Sequence, residues 1–385
     1  MKKQLLTPLL VLFLLALPTA VSAQVTTIPD QYPSLYRGVR QLGMGNAGIA
    51  MPGTDEAAPY YNPASIHDYE KKLRFRVLSP AIDLSTATIG LTKDIFDLAD
   101  ELDTETGDAS AQTDTFETFA DQHIGEFHSI DIRFPVVTLM HQWFFFSILT
   151  DSRNTFSFRN RTFTNVEMLS RSDAGGVLGG AYGFFDDQLE VGLALKILYR
   201  LLVSEVVTTS DIITTSSFGN VIDLNRGIGV GADLGVKGQI PRGEIQALEY
   251  LKPTAGFTWQ DIADTRFGGG AGRTQQSVSL GVGIHPTHHL WGREWESHFA
   301  VDIRELNRPS SFPKKFFLGY EFMAPRWGIF RPSVRLGANQ LYLAAGATLD
   351  LRFFKLEFAT YGEEAGPFSR QKQIRKIAAN ISAGF

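Results

Sequence analysis

The chain of 385 residues is 44% hydrophobic and 12% aromatic, and it contains 36 glycines. This composition excludes an intrinsically disordered protein and fits either a soluble all-β protein or an outer-membrane barrel. The net charge of −5 argues against nucleic acid as a partner, and the absence of cysteine excludes disulfide bonds, thiolate metal sites and a lipid-anchored cysteine.

Residues 1–23 have the features of a secretory signal peptide. Two lysines precede an apolar stretch at 5–17, and residues 21–23 form a small-residue cleavage site. Cleavage before Gln24 leaves 34 basic and 41 acidic residues, a net charge of −7. The apolar stretch is short for a helix that spans a bilayer. The sequence therefore predicts an exported protein without a lipid anchor.

A glycine-rich stretch follows, in which Gly43, Gly45 and Gly48 have the G-x-G-x-x-G spacing of a dinucleotide-binding turn. Such a turn follows a buried strand and opens a helix, whereas prolines precede this one and Pro52 ends any helix soon after it. The pattern instead predicts a compact, irregular segment. No cofactor is expected.

From Leu73 onward the sequence alternates between apolar and polar residues in segments of about ten, which predicts antiparallel strands. One face of each strand is apolar, and the other carries charges and glycines. Periodicity alone fits both a soluble sandwich and a membrane barrel whose apolar face meets lipid. The clearest segments are 132–140, 189–199, 278–284, 298–304, 316–322, 330–337, 341–350 and 354–360.

Three features favour an all-β transmembrane antiparallel barrel over residues 73–385. The last alternating segment ends in Phe385, which resembles the signal that the barrel assembly machinery recognises in outer-membrane barrels. The strand pattern is longer than one sandwich usually holds, and a closed barrel has no exposed edges. Aromatic residues cluster near strand ends, as at a membrane interface. We predict about 14 strands, with 12 to 16 compatible, surrounded by outer-membrane lipid.

Residues 94–126 depart from this pattern, because they contain eleven acidic residues and no lysine or arginine. Apolar residues at helical spacing, such as Ile95 with Leu98 and Phe116 with Phe119, predict two short helices joined near 104–110. This insertion is either a solvated excursion or an acidic surface for a protein partner or a divalent cation. It is extracellular if 73–91 is one strand, and periplasmic if Pro80 splits that strand.

Two motifs near the N-terminus carry a resemblance to a known family. The stretches RQLGMGNAGIA and DEAAPYYNPAS, between a signal peptide and a barrel, resemble the long-chain fatty-acid transporter (FadL) superfamily with its PorV-like members. The resemblance implies that residues 24–72 form a hatch inside the barrel. Its hatch motif comprises the three glycines above together with Asn62, Pro63 and Ala64. The acidic insertion and the Gly-Met-Gly sequence look more like the PorV-like branch.

The residue types suit a hatch. Glycine lets backbone pass close to a crowded barrel wall and turn sharply. Asn62 can bond neighbouring backbone groups, while Pro63 biases Asn62 towards extended geometry.

The strand at 143–150 offers a lining for a hydrophobic small-molecule ligand. It begins with four consecutive aromatic residues, so one pair must point inward, towards a ligand or simply against the hatch. Pro135 in the preceding strand predicts a kink or bulge, and in the resembled transporters a kinked strand opens a lateral exit into the membrane. The four aromatic residues are Trp143, Phe144, Phe145 and Phe146.

The polar face of the strands carries charges of both signs, which predicts ion pairs inside a filled barrel and argues against an open diffusion pore. The predicted inward charges are Arg74, Arg76, Glu190, Lys196, Arg200, Asp302, Arg304, Glu321, Arg331, Arg335, Lys355 and Glu357.

Neither catalysis nor a metal site is expected. His285, His288 and His289 are closely spaced, but Pro286 places them in a short connection without a nearby carboxylate. No G-x-S-x-G or H-E-x-x-H motif is present.

The sequence supports two functions in the outer membrane of a Gram-negative bacterium. One is passive transport of hydrophobic, fatty-acid-like molecules through a hatch-plugged barrel. The alternative is a PorV-like, non-transporting barrel that serves as a secretion or assembly partner, with 94–126 as its docking surface. A structural barrel without a ligand also remains open.

Overall fold

The computed structural model describes residues 35–104, 109–159, 165–208, 223–239, 246–365 and 372–384. The predicted signal peptide and Phe385 lie outside these residues. The helices are α1 (Val39–Gly43), α2 (Ala58–Tyr61), α3 (Thr86–Thr104), α4 (Ala109–Gln122) and α5 (Gln246–Leu251), with 3-10 turns at Pro63–Asp68 and Phe312–Lys315. The strands are β1 (Arg74–Val77), β2 (Ala81–Ser85), β3 (His128–His141), β4 (Phe144–Arg159), β5 (Asn165–Phe184), β6 (Leu189–Thr208), β7 (Asn225–Gln239), β8 (Thr254–Gln260), β9 (Thr265–Arg266), β10 (Arg273–Thr274), β11 (Ser277–Ile284), β12 (Thr287–Leu290), β13 (Arg293–Ile303), β14 (Phe316–Met323), β15 (Arg331–Asn339), β16 (Tyr342–Asp350), β17 (Phe354–Glu364) and β18 (Gln373–Gly384).

The large sheet closes into a barrel. Its strands pair antiparallel in chain order, and the last strand, β18, pairs with both β1 and β2. β1 and β2 share one strand position, since both also pair with β3, and β11 and β12 share another beside β13. The wall therefore has 14 strand positions, which confirms the predicted barrel.

Burial in this barrel is the reverse of burial in a soluble sandwich. On β6, Ile197 is 61% exposed, whereas the neighbouring Lys196 is 3% exposed. On β15, Leu336 is 64% exposed, whereas Arg335 is 3% exposed. Charged residues thus face the interior, and apolar residues form the outer surface. A bilayer stabilises such an arrangement because lipid covers the apolar face.

The two ends of the barrel differ. The first end, which we call the turn rim, carries the start of β1, the end of β18 and mostly short connections such as those after β3 and β5. The opposite end, the loop rim, carries α3, α4 and most of the longer connections. Exposed aromatic residues mark the turn rim, which confirms their predicted place near strand ends and resembles an interfacial girdle. They include Trp143, Phe184, Phe185, Trp291, Trp327, Phe330, Phe353 and Phe354.

The helical insertion follows β2 at the loop rim. Two helices are present as predicted, although α3 begins at Thr86 rather than near residue 94. The hydroxyl of Ser85 accepts a hydrogen bond from the Thr88 amide at 3.1 Å and so caps the helix N-terminus. Pro80 does separate β1 from β2. Both strands nevertheless run in the same direction, so the insertion that follows β2 lies at the loop rim. Within the described residues, no helix is both long and apolar enough to cross a bilayer.

Candidate functional site

Residues 35–72, the luminal segment, lie inside the barrel, and most of their side chains are buried. The segment follows the inner wall from strand to strand. It contacts β17 at Arg37, β16 at Gly43 and β13 at Gly48, and then β6 and β5 at Pro63 and Ile66. It leaves the lumen at the turn rim, where β1 begins.

The wall accommodates this segment through small inward residues, which we call the small-residue belt. A Cβ atom added to Gly256 would lie 2.6 Å from the Ile49 carbonyl oxygen, and one added to Gly179 would lie 2.7 Å from the Ile66 side chain. Larger side chains would therefore displace the luminal segment. The belt comprises Gly179, Gly192, Gly235, Gly256, Gly281, Ala300, Gly319, Gly337, Gly346, Ala359 and Ala378.

The three motif glycines meet the wall at separate strands. A Cβ atom on Gly43 would lie 2.9 Å from the Cα atom of Gly346. Gly45 has a positive φ of 61° and packs against the backbone of β14 and β15, a position that glycine tolerates best. The amide of Gly48 donates a 2.7 Å hydrogen bond to the Asp302 carboxylate, which also accepts from the next amide.

Asn62 joins three parts of the structure. Its side-chain oxygen accepts from the amide of Ala64 at 3.0 Å and so caps the 3-10 turn that Pro63 begins. Its side-chain nitrogen donates to the Ile49 carbonyl at 2.9 Å and to the Val236 carbonyl of β7 at 3.1 Å. The φ and ψ angles of −151° and 112° confirm the predicted extended geometry.

A buried ion-pair group holds the start of the luminal segment. The Arg40 guanidinium donates to Glu321 of β14 at 3.1 and 3.2 Å and to Asp55 at 2.9 Å. Arg335 also binds Glu321, at 2.7 Å. Burial would raise the pKa of Asp55, but the charge of Arg40 outweighs it and holds that pKa below its usual value. The group thus joins two points of the segment to the wall.

Pro135 lies beside the interruption in the first strand. The β3–β4 register shifts between Pro135 and Val137, which confirms the predicted bulge. The amides of Leu78 and Ser79 donate to the carbonyls of Val136 and Pro135 at 3.1 Å, so the wall is closed here. From inside, the Glu56 carboxylate accepts from the Ser79 hydroxyl at 2.9 Å. The luminal segment therefore contacts the one strand position that is broken near the bulge.

The four consecutive aromatic residues do not all line the lumen. Phe145 is buried and packs edge-on against Tyr60 of the luminal segment, with ring centroids 5.6 Å apart. Phe144 and Phe146 alternate to the outer face, and Trp143 is 64% exposed in the turn before β4. The expectation that one pair of these four aromatic residues points inward is therefore wrong, because regular alternation persists and sends only Phe145 inward from the strand.

Part of the inner wall is apolar. Inward residues of β3 to β6 pack against aromatic residues of the luminal segment in what we call the apolar luminal cluster. Buried charges lie on both sides of the lumen, such as Asp151 and Arg200 on β4 and β6 and Glu321 and Lys376 on β14 and β18. The apolar luminal cluster includes Tyr36, Tyr60, Ile66, Met140, Phe145, Leu149, Val177, Leu198, Phe267 and Ala271.

Sequence reasoning missed a second element inside the barrel. Residues 261–276 leave the loop rim and fold inward as the β9–β10 ribbon. Phe267 packs where Gly229 of β7 has no side chain, and the Arg200 guanidinium lies 3.7 Å above its ring centroid. The glycine cluster Gly268-Gly269-Gly270 was the available signal. The ribbon covers the loop-rim end of the apolar luminal cluster.

Between the luminal segment and the wall lies a polar cavity of about 10 Å³, which has room for about one water molecule. Tyr36, Tyr61, Gln260 and Arg304 contribute to its lining.

Most predicted inward charges are buried and paired. Lys196 binds Asp233 and Asp261 at 2.8 and 2.7 Å, and Arg200 binds Asp173 at 2.6 Å. Arg74 is an exception, since its side chain is 43% exposed and pairs with Glu70 at the turn rim. The interior is therefore ion-paired, as predicted.

The closely spaced histidines at the turn rim do not converge. Nδ1 of His285 lies 3.1 Å from Nδ1 of His298 on β13, whereas His288 bonds Tyr250 and Ser297. His289 lies opposite Glu294 in the β12–β13 ladder. The side chains of His285 and His288 therefore contact different partners.

Comparison with solved structures supports the architecture. The ΔS2S3 mutant of the TodX monoaromatic hydrocarbon channel has a TM-score of 0.53 at 10% sequence identity, over 90% of this chain and 98% of that one. The ΔS2 mutant of the same channel gives 0.50 at 9% identity, over 92% and 99%. The toluene transporter TodX of Pseudomonas putida gives 0.49 at 10% identity, over 94% and 99%. No family model and no curated protein matches the sequence. The likeness concerns the fold, and this chain has that of a transmembrane antiparallel β-barrel.

Proposed function

We propose that this chain is a passive outer-membrane channel for hydrophobic small molecules, with the luminal segment as its hatch, and that it is not an enzyme. The fold it shares with channels named for monoaromatic hydrocarbons supports this proposal. Export by the signal peptide and insertion by the barrel assembly machinery belong to the same proposal. The loop rim then faces the exterior, because outer-membrane barrels place their longer loops there.

The apolar luminal cluster is the observation that carries the proposal. A polar diffusion pore has no need of an inward wall of Phe145, Leu149, Val177 and Leu198. Hydrophobic ligands bind sites lined by such residues with few polar groups. The β9–β10 ribbon covers this wall at the loop rim, and Tyr36 and Tyr60 cover it from the lumen. A ligand would therefore replace the contacts of Tyr36 and Tyr60 with the wall.

The interrupted first strand is the exit that we favour. The pairing with β18 shifts by one residue across the interruption, from Arg76 with Gly384 to Ala81 with Asn380. Pro80 has no amide hydrogen to donate to the ladder there, and the Glu56 carboxylate of the luminal segment accepts a hydrogen bond from Ser79 of the wall. Displacement of the luminal segment would remove that hydrogen bond and leave an opening towards lipid beside Pro135.

Joining the hatch to the wall by a disulfide tests this proposal. Thr254 donates from its hydroxyl to the Ala50 carbonyl at 2.8 Å, so cysteines at these two positions are neighbours in a chain without other cysteines. We expect uptake of labelled toluene or oleate by cells that express Ala50→Cys/Thr254→Cys to fall to the level of cells without the protein after oxidation. Uptake should return after reduction.

The two single-cysteine variants are the matched controls and should transport under both conditions. Unchanged uptake by the oxidised pair, with the disulfide verified by gel mobility, would contradict a moving hatch. Failure of the wild-type protein to raise uptake of either compound would contradict the channel itself. The relative uptake of toluene and oleate decides between aromatic and fatty-acid-like substrates.

Docking of a protein partner, as in PorV-like barrels, is the second candidate function. Ile89 and Phe96 on α3 are 47% and 51% exposed and lie seven residues apart on one helical face. Acidic residues such as Asp97 and Asp100 accompany them on the exposed surface. This surface suits a partner that presents apolar and basic side chains.

Polar substitutions on α3 test the docking function. The Ile89→Asn/Phe96→Asn variant should lose a partner that cross-links to the wild-type protein in membranes of the native host, because its apolar contacts are removed. Lys93→Gln, an exposed change on the same helix, should retain that partner. An identical set of cross-linked proteins for all three chains would rule out this surface.

A further inference from the structure

Two buried histidines and a carboxylate converge at the loop rim, where the helical insertion returns to the barrel. His123 follows the end of α4, Glu126 lies in the short connection, and His128 is the first residue of β3. One ligand atom from each of the three lies within 4.8 Å of the others. We propose that these three side chains bind a divalent transition metal of the zinc type.

The distances suit a single ion. Nδ1 of His123 lies 3.3 Å from Oε2 of Glu126, and Nε2 of His128 lies 3.8 Å from the same oxygen. Two ligands that both lie about 2.0–2.2 Å from zinc are separated by distances of this order. A small closing movement of the Glu126 side chain, which is 48% exposed, would complete the approach.

The burial of His128 is an independent sign of a ligand. Its side chain is fully buried, with its ring stacked on Phe156 at 4.9 Å and edge-on to Phe158 at 5.9 Å. Neither ring nitrogen has a partner that meets the distance and angle criteria of a hydrogen bond, although the backbone of Ala87 lies close to the ring. An unpaired buried polar group is costly, at about 1–3 kcal/mol, and is rare in folded proteins. A metal ion would supply the missing partner.

Asp94 of α3 is placed to hold a metal-binding histidine in orientation without binding the ion itself. Its Oδ2 atom lies 3.4 Å from Nε2 of His123, the ring nitrogen opposite the one that faces Glu126. Histidines that bind metals commonly direct the second ring nitrogen to a carboxylate, which orients the ring. The ion would thereby connect α3, α4 and β3, so that it fastens the insertion to the barrel.

The donor set selects the class of metal. Two imidazoles and one carboxylate suit Zn²⁺ and its first-row neighbours, whereas Ca²⁺ and Mg²⁺ prefer oxygen ligands alone. Lys372 lies in the same region, with its ammonium group 5.0 Å from the Phe127 ring centroid. Its positive charge repels a cation in this region, so only direct ligation by the three side chains would hold an ion there.

Cobalt binding to the untagged, full-length protein in detergent tests the site. We expect one Co²⁺ per chain with visible d–d absorption, displaced by Zn²⁺. His123→Gln and Glu126→Gln should each weaken binding at least tenfold, and Asp94→Asn about 10–100-fold, as outer-sphere changes do. Zn²⁺ should also slow proteolysis within the insertion in the wild-type protein alone.

The matched control is His288→Gln/His289→Gln. It removes two histidines that are adjacent in sequence and lie at the turn rim, so this variant should bind Co²⁺ as the wild type does. Heat-modifiable gel migration verifies that each variant is a folded barrel. Wild-type protein that binds no Co²⁺ would overturn the proposal. Equal affinity in the wild type, His123→Gln and Glu126→Gln would also overturn it, as would loss of binding only in the His288→Gln/His289→Gln control.

Discussion

Replacement of Gly337 by leucine is expected to displace the luminal segment from its position against the barrel wall. A Cβ atom at this position would lie 2.5 Å from the Gly45 amide nitrogen, the Met44 carbonyl carbon and the Leu318 carbonyl oxygen. All three are backbone atoms, which cannot rotate away as the end of a side chain can. Overpacking of a core costs about 1–3 kcal/mol where side chains adjust, and we expect the upper end here or more.

Two measurements follow the effect of this substitution. Urea unfolding in detergent should show the lower stability, and limited proteolysis should cut within residues 35–72, which the wall protects in the wild type. Gly176→Leu is the matched control, because Gly176 lies in the wall and its nearest contact for a Cβ atom is the Ser147 carbonyl oxygen at 4.0 Å. If both variants have equal stability and equal protection from proteolysis, the small-residue belt does not hold the luminal segment in place.

Arg40→Met is expected to have the second large effect. The substitution keeps a long side chain but leaves Glu321 and Asp55 without their shared cation. The side chains of these two residues are 0% and 6% exposed. Removal of one partner from a buried ion pair costs about 3–5 kcal/mol, because a buried charge is left uncompensated. Here that charge is Asp55, since Glu321 keeps its ion pair with Arg335. Urea unfolding should show a loss of this size at neutral pH.

The pH dependence of this variant separates lost charge pairing from lost packing. The pKa of Asp55 is depressed in the folded wild type, so its contribution to stability is present above its unfolded pKa and is lost as pH falls through the folded value. Without Arg40 the carboxyl groups accept protons more readily. The difference in stability between variant and wild type should therefore shrink as pH falls towards about 4.

The control for Arg40→Met is Arg326→Met. Arg326 binds Asp350 at 2.6 Å, but their side chains are 37% and 31% exposed. Exposed ion pairs contribute about 0–1 kcal/mol, so this variant should unfold close to the wild type. A loss for Arg40→Met no greater than that for Arg326→Met would contradict a stabilising role for the buried group.

Alternation in the sequence predicted several strands of the wall closely, although β5, β7 and β8 were not among the segments it marked most clearly. The segment predicted at 278–284 is β11 from Ser277, and the one predicted at 316–322 is β14 to Met323. The helical insertion was also readable, apart from its start at Thr86, which the Ser85 cap sets. Alternation and helical spacing depend only on residues that are close in sequence, so they can be recognised without the tertiary structure.

Contacts between distant residues escaped prediction. The direction of Phe144 and Phe146 depends on which face of β4 the lumen occupies. The ribbon at 261–276 has no strand pattern that shows where it folds. The small-residue belt consists of single glycines and alanines on successive strands, and each of them looks like an ordinary polar-face position. Likewise, His123 and His128 converge only because α4 returns to the start of β3.

The sequence by itself determined the membrane barrel and the glycine-rich segment that precedes its strands. Every strand of the wall has lipid on one face and the lumen on the other. Each strand therefore shows the same alternation of apolar and polar residues in its own sequence. Only the tertiary structure decided where that segment lies against the wall, which charges pair and which inward residues form the apolar luminal cluster. These features depend on the register between strands, which brings together residues up to several hundred positions apart, such as Arg37 and Glu363.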